Sequence, residues 1–316
     1  MPLSPAAVWV RGPGSKVAVA GHNMSVTGLR AVPSPPLPVA AMVLGKPVDQ
    51  VVATLPRIFN LCQAAQDIAI RLALGLPPKA GARLTLRRDI LRDHLTRFCL
   101  LWPVRLGLGQ RALPPDWHDF GSATRKHVFG PAVHAPRNAD DMMAFLESGH
   151  GVAPVLAAIG AAFGPGVAVA RVADVTPTQV MTAGIIENSV AARHASVAGM
   201  RAIENRDGRG PLWRSAARIF DIAACLNDAL PAAVLPAPDT AAVPAARGIY
   251  AVRARAAGGL ITDFARITPT DHLTAKGGVL DQCLATLLPE RSTLAPLLLE
   301  ILDPCSPVRL EEIANA

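Results

Sequence analysis

Cysteines carry most of the chemistry that this 316-residue sequence could perform. Cys62 follows an arginine in PRIFNLCQAAQ, and Cys305 follows a proline in LEILDPCSPVRLEE near the end of the chain. Because a helix dipole stabilises a thiolate near the start of a helix, we expect Cys62 to have a lowered pKa. Two thiolates from opposite ends of the chain could together hold one soft or borderline metal ion. Spacing alone also allows a disulfide, or no interaction between them.

The other three cysteines have a different sequence context. Cys99, Cys225 and Cys283 each lie inside an apolar helical pattern, in RFCLLW, IAACLN and LDQCLA. A free cysteine in such a pattern behaves as a small hydrophobic residue, so we expect these three in the core. The odd number of cysteines and their wide spacing argue against a disulfide framework and indicate reduced thiols, as in a cytosol.

No other polar motif predicts a site with comparable force. The histidines show no zinc-like spacing with the cysteines, so we assign none of them to a metal. Glu187 lies in TAGIIENSVAARH, where we expect a helix that begins after Thr176 and carries this carboxylate on its solvated face. The glycines of RGPGSKV lack the spacing of a phosphate-binding loop.

Composition restricts the class of protein. Apolar residues make up 51% of the chain, which is enough for a sizeable core, and the net charge of +7 comes from scattered arginines. A nucleic-acid arm would concentrate this charge, so we expect no nucleic-acid partner. The most apolar stretch is interrupted at Gly164–Gly166, and no secretory signal is recognisable. We therefore expect a cytoplasmic protein without a membrane span.

The elements that must position these cysteines are mainly helical. Apolar residues at helical spacing alternate with Pro-Gly segments through most of the chain, and RGIYAVRARAAGGLITDFARI predicts a β-hairpin with Gly258-Gly259 at its turn. We predict a mainly α fold with small β elements (α+β) in a single domain, 1–316. Residues 1–45 form its β- and loop-rich start, 46–230 a helical body, and 231–316 the hairpin and C-terminal helices.

Three motifs in order resemble those of nickel–iron hydrogenase large subunits. DPCSPVRLE resembles their D-P-C-x-x-C-x-x-H ending, and PRIFNLCQAAQ resembles their R-x-C-G-x-C-x-x-x-H motif. Between them, RGIYAVRARAAGGLITDFARITPTDHL resembles the stretch that runs R-G-x-L-x-H, a glycine turn and then Pro-Ser/Thr. The matches span residues 57–309, and the resemblance implies the multi-helical fold of those subunits.

Departures from these motifs are equally informative. Phe59 occupies the position of the first N-terminal cysteine, and Gln66 stands where the family has histidine. Near the C-terminus, Val308 replaces the second cysteine and Glu311 replaces the histidine. The family's nickel–iron centre uses four thiolates, whereas this chain offers two. We therefore expect neither stable nickel binding nor hydrogen turnover.

Other parts of the family's site are retained. Arg247 and Thr270, with Pro269 beside them, match the arginine and hydroxyl residues that the family places next to the iron's cyanide ligands. A cyanide nitrogen in a dry pocket needs fixed donors, and a guanidinium supplies them with a permanent charge. Two structural alternatives remain, namely a salt bridge for Arg247 and a helix cap for Thr270.

This combination of retained and lost residues resembles the hydrogenase accessory proteins of the HupK/HoxV type. The resemblance implies a non-catalytic scaffold that holds the Fe(CN)2CO fragment transiently through Cys62 and Cys305, with Arg247, Pro269 and Thr270 around it. The implied partners are the precursor of the hydrogenase large subunit and maturation chaperones. Three alternatives stay open: a chaperone that binds no metal, a divergent catalytic large subunit, and an unrelated helical protein.

Overall fold

A computed structural model of the chain describes residues 28–58 and 62–312. Helices dominate these residues and small sheets accompany them, so the predicted α+β fold is confirmed. Phe59 and most of the segment 1–45 lie outside the described residues, while the single-domain assignment stays a prediction. None of the described helices combines the length and apolar character that crossing a membrane requires.

The first helices alternate with short connections. They are α1 (Val39–Val43), α2 (Val48–Ile58), α3 (Gln63–Ala73), α4 (Ala82–Thr96), α5 (Trp102–Arg105), α6 (Ser122–Phe129), α7 (Ala139–Glu147) and α8 (Ala153–Phe163). A π-helical turn, Arg97–Leu101, joins α4 to α5, so Pro103 lies inside one continuous helical segment. Asn138 caps α7 through its side chain, as its sequence predicts.

Helices resume after two short strands. They are α9 (Val190–His194), α10 (Ala198–Asp207), α11 (Pro211–Leu226), α12 (Pro269–Leu273), α13 (Val279–Ala285) and α14 (Ala295–Leu302). Helix α11 begins with proline at a position where the missing N–H costs nothing. It is buried around most of its circumference and packs against α4, α8, α9, α10 and α14. The centre of the core therefore lies along α11.

The strands form three small sheets among the described residues. They are β1 (Leu29–Pro33), β2 (Ala173–Asp174), β3 (Ile186–Glu187), β4 (Val234–Ala237), β5 (Thr240–Ala245), β6 (Gly248–Ala257), β7 (Leu260–Ile267) and β8 (Val308–Glu312). Strands β4 to β7 form an antiparallel sheet in sequence order, and β6 and β7 are the predicted hairpin with its Gly258-Gly259 turn. Strand β1 pairs with β8 and so joins the two ends of the described chain.

The segment after Thr176 differs from its prediction. The expected helix is wrong there, because the chain runs irregularly through residues 176–185 and then forms β3. Gly184 has a φ of 153°, which side-chain-bearing residues rarely adopt, and β3 pairs in parallel with β2. Helix α9 begins only after Ser189, whose side chain caps it. Tertiary strand pairing has replaced the local helical pattern here.

Two segments that contain several prolines nevertheless form regular structure. Residues 104–138 include α6, which begins beside Asp116, whose carboxylate accepts hydrogen bonds from the amides of Ala123 and Thr124. The AVLPAPDTAAVPAA segment contributes β4 and β5, although it is rich in proline and alanine. Strand β5 is buried along its whole length and packs on α3. Burial, which local composition does not encode, decides these elements.

Candidate functional site

Cys62 lies where the chain turns into α3. Its φ of 56° places it in the left-handed region, at the N-cap of the helix, and its carbonyl accepts the N–H of Gln66 at 3.1 Å. Asp89 on α4 accepts the N–H of Ala64 at 3.2 Å and so fixes the start of α3. A left-handed cysteine costs backbone energy, so surrounding packing must hold this turn in place.

Burial decides the protonation of Cys62. It raises the pKa of the thiol to about 11, against the lowering effect of Arg247. The expectation of a lowered pKa is therefore wrong, because removal of water disfavours the thiolate more than nearby positive charge favours it. Without a metal, Cys62 is a neutral thiol at physiological pH.

Cys305 lies near the other end of the chain, three residues beyond α14. Asp303 ends α14 in the left-handed conformation, with a φ of 58°. The N–H of Cys305 then donates to the hydroxyl oxygen of Thr270 at 2.7 Å, and Oγ1 of Thr270 lies 2.9 Å from Sγ of Cys305. Thr270 therefore contacts both the backbone and the sulphur of Cys305.

Thr268, rather than Thr270, caps helix α12. Its side chain accepts from the N–H of Asp271, and the carboxylate of Asp271 accepts from the N–H of Thr268 at 2.7 Å, which completes a capping box. Pro269 occupies the first helical position. The helix-cap alternative for Thr270 is thus wrong, and its hydroxyl faces Cys305.

Arg247 lies in the turn between β5 and β6 and connects the regions of both cysteines. Its NH1 lies 3.9 Å from Sγ of Cys62, while its Nε lies 2.9 Å from Oδ1 of Asp303. Burial disfavours its charge, but Asp303, Asp93 and the two cysteines outweigh this effect and raise the pKa of Arg247 well above its ordinary value. The salt bridge that was the alternative role of Arg247 is formed with Asp303, and Arg247 contacts Cys62 at the same time.

Five buried or nearly buried charged side chains form what we call the arginine–aspartate cluster. Its members are Arg97, Arg218, Arg247, Asp93 and Asp303. The carboxylate of Asp303 lies 2.6, 3.0 and 2.9 Å from the three guanidiniums in that order, and Asp93 lies 3.4, 3.3 and 3.4 Å from them. Each carboxylate therefore contacts all three arginines.

The arginines control the ionisation of this cluster. Burial raises the pKa of Asp93, but Arg247, Arg97 and Arg218 outweigh burial and hold that pKa well below its ordinary value. Burial also lowers the pKa of Arg218, which the contact with Asp303 opposes. The carboxylate of Asp93 therefore keeps its negative charge beside three guanidiniums, since arginine side chains stay charged in proteins.

A second polar network extends the cluster into the core. Nδ1 of His94 lies 2.9 Å from NH1 of Arg218, and Nε2 of His94 lies 2.8 Å from Asp221. Because a guanidinium can only donate hydrogen bonds, Nδ1 of His94 must be the acceptor of the bond from Arg218. Nε2 of His94 therefore carries the ring proton and donates a hydrogen bond to Asp221. Burial lowers the pKa of His94, so the ring is neutral. Asp221 also contacts Arg193 at 2.8 Å and His194 at 2.9 Å.

Glu187 lies in the core and not on a solvated helix face. It is 1% exposed, belongs to β3, and forms an ion pair with the buried Arg214. The sequence-based expectation for Glu187 is therefore wrong, because the segment folds inward as a strand. Its partner lies on α11, 27 residues further along the chain. A through-space pairing of this kind has no local sequence signal.

Two cavities flank Arg247. One, of about 160 Å³, is lined by Cys62, Asp89, Arg92, Asp93 and Arg247, and we call it the Cys62 cavity. The other, of about 30 Å³, is lined by Arg247, Pro269 and Thr270 together with Asp303 and Arg218. The residues predicted to surround a cofactor therefore converge on Arg247, but they face two spaces. Cys305 belongs to the lining of neither and reaches the second space through Thr270.

The replaced ligand positions have structural roles at the C-terminal end. Val308 is buried and opens β8 opposite Pro33, and Glu311 forms an ion pair with Arg30 at 2.8 Å across β1 and β8. Gln66 is also buried, on α3. Within residues 28–58 and 62–312, no group of three or more His, Cys, Asp or Glu side chains is arranged to hold a metal ion. The described part of the chain thus offers two thiols and a charged shell.

The sequence predicts a site at Cys62, Cys305, Arg247, Pro269 and Thr270, but it does not indicate most of the charged shell around them. Asp303 stands in the quoted DPC motif, and its adjacency to Cys305 was an available signal. Asp93 and His94 lie in RDHLTRF, where an amphipathic helical pattern predicts only packing and solvated charges. Arg97 and Arg218 have no distinguishing sequence context.

Comparisons with known proteins identify a relative of this chain and solved structures with a similar fold. No family model matches the chain. The chain is 49% identical over 296 residues to the hydrogenase expression/formation protein HupK of Rhodobacter capsulatus. The aligned region covers 94% of this chain and 96% of that protein.

Solved structures of hydrogenases share the fold. The Ni-Fe-Se hydrogenase from D. vulgaris Hildenborough matches in its as-isolated oxidized state with a TM-score of 0.56 and 12% identity, over 89% of this chain and 97% of that chain. Its reduced state matches with a TM-score of 0.53 and 12% identity, over 84% and 90%. The predicted resemblance is confirmed, and this chain belongs to the HupK family of hydrogenase expression/formation proteins, with the fold of a hydrogenase large subunit.

Proposed function

We propose that this chain is a non-catalytic scaffold in nickel–iron hydrogenase maturation, which transiently holds the Fe(CN)2CO fragment through Cys62 and Cys305. The observation that carries the proposal is the position of Arg247. Its guanidinium lies 3.9 Å from the sulphur of Cys62 and 2.9 Å from Asp303, next to the turn that presents Cys305. A permanent donor thus lies beside the thiol of Cys62 and next to the segment that carries Cys305.

The Cys62 cavity has a suitable size for such a cargo. Its volume is about 160 Å³. A protein cavity of about 150 Å³ accommodates benzene, and the iron fragment has only one non-hydrogen atom more than benzene. In this role the two sulphurs ligate the iron, Arg247 donates to a cyanide nitrogen, and Thr270 orients Cys305.

Incomplete ligation suits a carrier. A cysteine at the position of Val308 would add a thiolate, whereas valine begins a buried strand and offers no ligand. A fragment bound through two thiolates can dissociate more readily than one enclosed by four. We propose that it passes to the precursor of the hydrogenase large subunit, with maturation chaperones as further partners. The name of the relative, an expression/formation protein, supports this assignment.

Infrared spectroscopy tests the cargo directly. Protein purified from a strain with intact hydrogenase maturation genes should show cyanide and carbonyl stretches together with stoichiometric iron. Cys62→Ser and Cys305→Ser should each lose the bands, and the matched variant Cys225→Ser, at a core thiol, should keep them. Absence of both the bands and iron from the wild-type protein would refute the cargo.

A second candidate function is a chaperone of a hydrogenase subunit that binds no metal. The raised pKa of Cys62 favours it, because a protonated thiol does not ligate a metal. The double variant Cys62→Ser/Cys305→Ser separates the two functions. Full hydrogenase formation with this variant would support the metal-free chaperone, whereas loss of formation with intact folding supports the scaffold.

Catalysis by this chain is the least favoured function. The described residues contribute two thiols to the site. The other two cysteine positions of the motifs hold phenylalanine (Phe59) and valine (Val308), whose side chains cannot ligate nickel. We therefore expect elemental analysis to find no stoichiometric nickel in the purified protein. Nickel at one ion per chain, together with hydrogen uptake, would show a divergent catalytic subunit instead.

A further inference from the structure

The arginine–aspartate cluster contains one more positive charge than negative charges. Three guanidiniums face two carboxylates, and all of the side chains concerned are at most 18% exposed. His94, which contacts Arg218, is neutral and leaves the count unchanged. The cluster therefore carries a buried net charge of about +1.

Neighbouring charged groups do not cancel this excess. Asp221 is matched by Arg193 at 2.8 Å, and Glu187 is matched by Arg214. These two pairs are neutral as units. Each lies next to the cluster but contributes no spare negative charge to it.

The charges at the opening of the Cys62 cavity also match each other. Asp89 and Arg92 line this cavity, and their side chains lie 3.8 Å apart. Asp93 and Arg247 of the cluster line its inner part, next to Cys62. An unmatched buried charge is costly, so the cavity is the space in which a compensating anion would be most stabilised.

We infer that the cluster makes this site selective for an anionic metal complex and unfavourable for a bare divalent cation. The inference deepens the proposed function and rests on it, since it states which charge the cargo must have. Arg247 lines the Cys62 cavity and can donate charge-assisted hydrogen bonds to cyanide nitrogens, while Arg97 and Arg218 behind it add electrostatic attraction for an anion. The same guanidiniums repel a cation that enters with only neutral ligands.

Charge accounting distinguishes the two cargoes. When the fragment binds, each cysteine S–H loses its proton to solvent, and each sulphur donates an electron pair to iron(II), which is neither oxidised nor reduced. The two cyanides balance the iron, so the two thiolates leave the complex with two negative charges. A bare zinc ion held by the same thiolates is neutral and leaves the positive excess of the cluster uncompensated.

The test uses the full chain produced without hydrogenase maturation genes, so that it carries no cargo. Thiocyanate is the anion probe, because its C≡N stretch reports a change of surroundings in the infrared, and Zn²⁺ is the cation probe. We expect a saturable shift of the thiocyanate band and no stoichiometric zinc in equilibrium dialysis. Stoichiometric zinc lost in Cys62→Ser, or an unshifted thiocyanate band, would overturn the inference.

Removal of one guanidinium sharpens the test. Arg97→Gln abolishes the charge excess and leaves Asp303 with Arg218 and Arg247, so thiocyanate affinity should fall about tenfold through the loss of one nearby positive charge. Arg97→Lys should restore most of it. Arg105→Gln is the matched control on the adjoining helix, where the arginine is exposed and pairs with Glu300. Equal affinities in Arg97→Gln and wild type would contradict the inference.

The measurements on cargo-loaded and cargo-free protein test the proposed function and the charge selectivity separately. Cyanide and carbonyl bands in cargo-loaded protein, combined with strong zinc binding by the cargo-free chain, would retain the scaffold and reject the charge selectivity. Thiocyanate binding and zinc exclusion by the cargo-free chain, with no iron fragment in protein from the maturation-competent strain, would retain the charge selectivity and reject the scaffold. The wild-type measurements decide both cases even if Arg97→Gln fails to fold.

Discussion

Thr270 and Cys305 contact each other twice. The hydroxyl oxygen of Thr270 accepts the backbone N–H of Cys305 at 2.7 Å, and it lies 2.9 Å from the sulphur of the same cysteine. The two residues are 35 positions apart in the chain. One hydroxyl therefore fixes both the backbone and the thiol of the C-terminal cysteine, which makes it a sensitive point of the candidate site.

Thr270→Val should disturb Cys305 without unfolding the protein. Valine has nearly the same shape but leaves the N–H of Cys305 without its partner, so we expect a loss of about 1 kcal/mol in the free energy of unfolding. Cyanide and carbonyl bands should weaken or shift, as measured by infrared spectroscopy of the loaded protein. Thr270→Ser should restore them. Thr274→Val removes a hydroxyl one turn away, bonded to a helix carbonyl, and should leave them unchanged.

Thr268→Ala should lower the free energy of unfolding. The change removes the capping box that begins α12, which costs about 1 kcal/mol. Urea denaturation measures this loss, with Thr262→Ala on the exposed face of β7 as the control. An unchanged unfolding free energy in Thr268→Ala would show that packing alone holds α12.

Glu187→Ala should be among the most destabilising single substitutions. It leaves Arg214 buried without its carboxylate, and breaking a buried pair in this way costs about 3–5 kcal/mol. Asp207→Ala, which breaks the more exposed pair with Arg206, should cost below about 1 kcal/mol. Denaturant unfolding compares the two. A similar small loss in both variants would contradict the buried position of Glu187.

Alkylation of Cys62 should be strongly pH-dependent. Its pKa of about 11 keeps the thiolate fraction small at neutral pH, so the rate with iodoacetamide should rise about tenfold per pH unit up to about pH 11. Mass spectrometry of the labelled peptide measures it, with Cys62→Ser as the blank. A plateau below pH 9 would show that the thiolate already exists in the free protein.

The same pKa makes stability depend on pH. Between the ordinary thiol value of 9.0 and about 11, folded Cys62 keeps a proton that the unfolded chain has lost. The folded state thus binds more protons in this window, and stability falls as pH rises through it. Thermal unfolding of wild type and Cys62→Ser at several pH values in this range measures how much stability falls with pH. This fall should be smaller in the variant.

Regular local patterns made part of the fold predictable. The hairpin around Gly258-Gly259 and the buried helix α11 follow from strand alternation and helical periodicity. The helix predicted for the segment around Glu187 is absent, because strand pairing to β2 and the ion pair with Arg214 outweigh its local helical pattern. Pairing with distant residues overrode local propensity there.

The candidate site was predictable wherever a motif carried it. Cys62, Arg247, Pro269, Thr270 and Cys305 follow from motif order, and the fold brings their segments together around Arg247. The protonation of Cys62 did not follow, because a helix start suggests a thiolate while burial imposes a thiol. The split of these residues between two cavities was equally absent from the sequence.

The sequence by itself determined the family and the mainly helical class, and it singled out two cysteines as candidate ligands. Only the tertiary structure decided the charge of their surroundings. Asp303 lies more than 200 residues from Asp93 and Arg97, which share one helical segment, and the effect of these charges depends on burial and on separations of 2.6–3.4 Å. Coulomb energies depend on distance and local dielectric, and neither quantity is encoded by spacing along the chain.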